Sequence, residues 1–153
     1  MTKRFAVRPV RPHDLDRIEA IEAASFGADA YDRKLFAEYT RICGGLFLVA
    51  QAGTKVIGYS ITALPARWTG KRAELVSVAV DPAYAGKGAA AAMMESTLRR
   101  LRRRRVARLG LTVKVTNLRA RAFYAKYGFL KLRRLARYYE DGEDGLMLLK
   151  DLS

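Results

Sequence analysis

The stretch RAELVSVAVDPAYAGKGAAAAMM, residues 72–94, constrains the fold of this chain more than any other. A Val- and Leu-rich run ends at Asp81-Pro82, crosses a loop with Gly86 and Gly88, and opens into an alanine- and methionine-rich segment. That pattern reads as strand, sharp turn and helix. A second apolar run, RLGLTVKV (108–115), follows the helix, so the middle of the chain is a β-α-β crossover.

The flanking segments extend this unit. FAVRPV (5–10) reads as a strand, and HDLDRIEAIEAASF (13–26) places Leu15, Ile18, Ile21 and Phe26 at helical spacing. AYDRKLFAEYTR (30–41) predicts a second helix. GLFLVAQAGTKVIGYSITAL predicts a hairpin turning at Ala52–Lys55. The crossover helix runs from about Gly88 to Arg105. NLRARAFYAKY (117–127) is a further helix stopped at Gly128. FLKLRRLARYY and GLMLLKDL are two closing strands around EDGEDG. The expected order is β-α-α-β-β-β-α-β-α-β-β: an α/β fold in one domain, 1–153, with a mixed sheet of about seven strands and helices on both faces.

Half of the 153 residues are hydrophobic, enough for a packed core. The apolar runs are too short and too often broken by charge to span a membrane. The first residues lack the apolar centre of a secretory signal, so a cytoplasmic protein is expected. With one histidine and one cysteine, a metal site is not expected, and Cys43 reads as core filling. The net charge of +14 favours anionic partners without choosing among them.

The glycine loop admits three readings. A nucleotide P-loop needs Gly-Lys-Ser/Thr, and Gly88 follows Gly86-Lys87 here. A dinucleotide fingerprint fits Gly86–Ala91, but the acidic residue due about twenty positions later is missing from ARLGLTVKV. The third reading is a general anion cradle, in which unpaired N–H groups at a helix start face one spot backed by the dipole; its alternative is a plain turn leading into a helix. The small residues Ala85, Gly86, Gly88, Ala89 and Ala90 allow close approach to the backbone.

LVSVAVDPAYAGKGAAAAMM resembles the acetyl-coenzyme A motif of the GCN5-related N-acetyltransferases, and LTVKVTNLRARAFYAKYGFLKL resembles the same family's second block, in the right order and spacing. The segment YYEDGEDGLMLLKDL (138–152) is similar to the branch that acetylates protein N-termini, which includes the bacterial enzyme acting on a ribosomal protein's N-terminal alanine. The resemblance implies an acetyl-CoA-dependent enzyme. It places Val78, Ala79 and Val80 along the pantetheine arm and Ala85, Gly86, Lys87, Gly88, Ala89, Ala90 and Ala91 around the pyrophosphate. It makes Asn117 a coenzyme contact and Tyr124 the acid that protonates the departing thiolate. Asp29 and Tyr31 would meet the acceptor's first residue, and Tyr138 and Tyr139 its backbone.

Two positions depart from the family pattern. Ala85 replaces an Arg or Gln of the phosphate loop, which implies weaker coenzyme binding. Thr112 stands where the ribosomal-protein enzyme carries its basic glutamate. An α-amino group has a pKa near 8 and a lysine near 10.4, so freeing the neutral amine at pH 7 costs about 1.4 kcal/mol against nearly 5. A weak base therefore suffices for an N-terminus. Glu74 is the candidate base; the alternative is a strand carboxylate paired with Lys71 or Arg72. Tyr138 and Tyr139 have an alternative as cross-strand packing.

The run LRRLRRRRVAR (98–108) lies at the far end of the crossover helix, about 24 Å from the phosphate loop. It reads as a solvated basic face, with an acidic or ribosomal partner as the alternative. His13 and Trp68 read as structural, with covering a binding cleft as the alternative for Trp68. The expected acceptor is a protein or peptide N-terminus. The alternatives are a polyamine or aminoglycoside-like amine, or a non-enzymatic acetyl-CoA sensor or nucleic-acid binder.

Overall fold

The computed structural model describes residues 5–27 and 30–153. Its elements are β1 (Ala6–Pro9), α1 (Leu15–Phe26), α2 (Arg33–Cys43), β2 (Phe47–Ala52), β3 (Lys55–Ala63), β4 (Arg72–Val80), α3 (Ala89–Arg103), β5 (Arg108–Lys114), α4 (Leu118–Lys126), β6 (Leu130–Leu135) and β7 (Gly145–Asp151). The order is the one expected from the sequence. The strands form a seven-stranded sheet in the order β1-β2-β3-β4-β5-β7-β6. β4 and β5 are parallel, whereas β1–β2, β2–β3, β5–β7 and β6–β7 are antiparallel.

Element ends differ from expectation for local reasons. A 3-10 turn, Pro12–Asp14, precedes α1. α2 begins three residues late because Asp32 acts as its N-cap, accepting from Leu35 N at 2.9 Å. α3 stops at Arg103, and Arg105 adopts a left-handed φ of 58°. β6 stops at Leu135, short of both tyrosines. Arg137 turns there with φ 49°, its N–H donating to Asp144 Oδ1 at 2.9 Å.

The chain packs as two compact units, Met1–Ala63 with Leu75–Arg103 and Leu64–Glu74 with Arg104–Ser153. In the first, helices cover both faces of the β2–β3 hairpin. α1 and α2 bury Leu15, Ile18, Ile21 and Phe36 against Phe47, Val49, Tyr59 and Ile61. On the opposite face α3 sets Ala89 and Met93 against Ala50 and Ile57. A bulge makes this possible: Ala50 pairs with Gly58 and Gln51 with Val56, leaving Ile57 as the extra residue. Gly58 lets α3 close in, since a Cβ there would lie 3.0 Å from Met93 Cε.

In the second unit, β5 pairs with the start of β4 over Arg72–Glu74 against Arg108–Gly110, and with β7 along its whole length. Strand alternation sends Leu109, Leu111, Val113, Leu146 and Leu148 to a buried face. The other face carries Arg72, Glu74, Gly110, Thr112, Gly145 and Met147, of which Arg72, Glu74, Thr112 and Met147 are half-exposed.

Candidate active site

The residues expected along the coenzyme, Val78–Val80 and Ala85–Ala91, all belong to the first unit. At the end of β4, Ala79 is buried, with Val78 and Val80 half-buried beside it. The turn after them is pinned by Asp81. Its N–H donates to Ile57 O at 2.7 Å, and its carboxylate accepts from Ala83 N and from Arg17 Nη2, both at 3.0 Å. The Ala83 N–H above all, with Arg17, holds that carboxyl below the usual range. Beyond a 3-10 turn at Pro82–Tyr84, residues Ala85 to Gly88 are exposed. Gly86 and Gly88 have φ of 74° and 94°, and a Cβ at either would meet nothing within 4 Å. These glycines therefore serve backbone conformation rather than space. They turn the chain so that α3 begins at Ala89 with its N-terminus beside an open loop. The short side chains of Ala85, Ala89, Ala90 and Ala91 leave that backbone approachable, and the exposed Lys87 adds a positive charge. Such a cradle fits a pyrophosphate.

In the second unit Asn117 caps α4, its side-chain oxygen accepting from Ala120 N at 3.1 Å. Its amide nitrogen makes no hydrogen bond among the described residues and stays available to a ligand. Tyr124 lies on α4 with its ring against Phe123 and Phe129, centroids 5.5 and 5.6 Å away. Burial, with Tyr139 adding to it, pushes this phenol up to about 12. It therefore stays protonated at neutral pH, the state an acid needs.

Glu74 sits on the open face, 4.0 Å from Arg72. Burial raises its carboxyl above the ordinary value against the opposing influence of Arg72 and Arg67. The candidate base and its alternative as an ion-pair partner thus coexist in one side chain. Thr112 faces Met147 across the β5–β7 ladder and, as a hydroxyl, offers no base. Tyr138 is exposed and Tyr139 half-buried in the β6–β7 loop, their rings 5.0 Å apart. They lie beyond the end of β6, so they are not ladder residues. Lys114 holds this loop, with its Nζ 2.7 Å from Asp141 and 5.3 Å from the Tyr139 ring centre.

The α1–α2 connection carries the remaining candidates. Asp29 lies outside the described residues. Tyr31 donates its backbone N–H to Glu22 at 2.9 Å and packs edge-on against Phe36. Sequence reasoning passed over Glu22, which is 2% exposed and also accepts from the Tyr59 hydroxyl. That hydroxyl lies 3.3 Å from Ser77 Oγ on β4. A signal was present, since Glu22 falls four residues after Ile18 on the apolar stripe of α1. Also missed was the stacking of Arg67 and Arg72 on Trp68, with guanidinium carbons 4.3 and 4.4 Å from the indole centre. Cys43 is buried and its thiol is pushed up to about 11, which suits core filling rather than nucleophilic chemistry.

Residues 14–129 match the model of the acetyltransferase (GNAT) family. The chain belongs to this family. It is 30% identical over 159 residues to an N-alpha-acetyltransferase of Saccharolobus solfataricus, covering 97% of this chain and 93% of the relative. The crystal structure of the ribosomal-protein-S18-alanine N-acetyltransferase from Escherichia coli superposes with a TM-score of 0.84 at 27% identity, covering 97% and 94% of the two chains. Ard1 from Thermoplasma volcanium shares the fold, with a TM-score of 0.89 at 23% identity over 97% and 98%. This GNAT enzyme is an acetyl-CoA-dependent N-acetyltransferase, and the anion cradle at Ala85–Ala91 suits the coenzyme's pyrophosphate. No helix among the described residues is long and apolar enough to cross a membrane.

Proposed function

We propose that this acetyltransferase modifies the free α-amino group of a protein or peptide N-terminus. The observation that carries the reading is near full-length similarity, at 30% identity, to an enzyme named for N-alpha-acetylation. The chemistry of the candidate residues supports it. The amine nitrogen attacks the thioester carbonyl carbon, the C–S bond breaks, and the coenzyme leaves as a thiolate. Tyr124 supplies the thiolate's proton. The proton lost by the amine passes to water or to Glu74. An α-amine demands little of that base, which matches a chain with threonine at 112. The half-open face bearing Glu74 and Thr112, with Tyr138 above Gly145, offers a strip for an extended peptide; a Cβ on Gly145 would lie 3.3 Å from Tyr138 Cβ. Arg99, Arg102 and Arg103 on α3 are exposed and form no ion pair among the described residues, which keeps them available to an acidic or ribosomal partner.

A peptide library carrying free N-termini and internal lysines, incubated with acetyl-CoA and mapped by mass spectrometry, tests this reading. Acetate is expected on α-amines. Tyr124→Phe is expected to lower kcat by about 10²–10⁴. Acetate found only on lysine side chains or on polyamines would overturn the assignment.

A further inference from the structure

Most arginines that approach a carboxylate in this molecule hydrogen-bond to it. Arg8 grips Asp14 at 2.8 and 2.9 Å, and Arg17 reaches Asp81 at 3.0 Å and Val56 O at 3.1 Å. Arg72 differs. Its side chain is 22% exposed, yet it donates no hydrogen bond to any oxygen among the described residues. Its Nε is buried without a partner, and its Nη2 lies 4.0 Å from both Met147 Sδ and Glu74 Oε2. Arg67 is exposed and makes neither hydrogen bond nor ion pair among the described residues.

Both guanidinium groups are nevertheless held in place. Each rests on the indole of Trp68, a contact that fixes the plane of a guanidinium and leaves its in-plane donors free. Gly110 clears the path for Arg72 across β5, since a Cβ there would come within 2.8 Å of Nη2. One half-buried carboxylate, Glu74, faces two cations. The result is two positioned guanidinium groups: Arg72 on the open sheet face and short of partners, and Arg67 exposed in the turn before β4. A buried donor left idle, as at Arg72 Nε, is unfavourable, and a guanidinium fork matches a carboxylate.

We propose that Arg72 and Arg67, splayed on Trp68, select acceptors that carry an acidic side chain at the second or third residue. The proposal rests on the N-terminal acceptor reading above. The position follows from the strand: Arg72 is two residues from Glu74, about 7 Å, the spacing of two residues in an extended peptide. A carboxylate from the acceptor would accept from the Nη donors of Arg72, with Arg67, also stacked on the indole, adding charge.

The test uses two peptides of identical composition and net charge. One has aspartate at its second and third positions and the other has the same aspartates at positions eight and nine, so attraction to the overall charge cancels. For the wild-type protein, kcat/KM is expected to favour the first peptide by about tenfold or more, the scale of one charge-assisted hydrogen bond. Arg72→Gln is expected to bring the two within about twofold. The exposed Arg67→Ala, checked for folding by circular dichroism, is expected to reduce the preference in part. Equal rates for the two peptides with wild-type protein, or a preference that survives both substitutions, would overturn the inference while leaving α-amine acetylation standing. Failure to acetylate any α-amine would overturn both.

Discussion

In the proposed mechanism Tyr124 acts as acid and Glu74 as base, and these roles carry opposite requirements that a pH profile separates. The phenol must be protonated, and with its pKa raised to about 12 its acid function is lost only as pH climbs toward that value. Glu74 must be ionised. Burial raises its carboxyl above its ordinary value, so a base function there is lost as pH falls, sooner than for an unburied glutamate. The acceptor amine becomes neutral through a pKa near 8. A profile of kcat/KM against pH is therefore expected to rise from acid, level above about pH 8, and show no descending limb below about pH 10. A descending limb centred near 9 would remove Tyr124 from the acid role. The tyrosine was legible from its place in the Asn117–Gly128 block. Its protonation state was not, because that depends on the rings and backbone packed around it.

The strand–loop–helix unit belongs to a larger scale. Its glycines were legible as turn residues, and their positive φ values give the physical reason. Because no neighbour crowds either one, substitution strains the backbone and nothing else. Gly88→Val is expected to cost about 1–2 kcal/mol locally and to raise the KM for acetyl-CoA about tenfold, with little change in far-ultraviolet circular dichroism. An unchanged KM would mean that the loop's conformation is not what holds the coenzyme. Element ends were less legible than element types. Asp32 capping α2 and Arg137 turning out of β6 are single-residue events that periodicity does not report.

For the molecule as a whole, the aromatic centre of the first unit matters most for stability. Phe36 is fully buried, 5.6 Å from the Tyr59 ring and 6.5 Å from that of Phe47. Phe36→Ala is expected to destabilise by about 3–5 kcal/mol, read from chemical denaturation. Element order, the β-α-β crossover and the glycine turn that opens α3 were all determined by the sequence alone. Each is written in neighbouring residues through periodicity, glycine placement and spacing. Only the tertiary structure decided the bulge at Ile57, the Glu22–Tyr59–Ser77 hydrogen bonds, and the stacking that leaves Arg72 short of partners. These depend on strand register and on side chains from distant segments arriving at one place. Local propensity does not encode them, since a shift of one residue in pairing would send Tyr59, Ser77 or Arg72 to the opposite face.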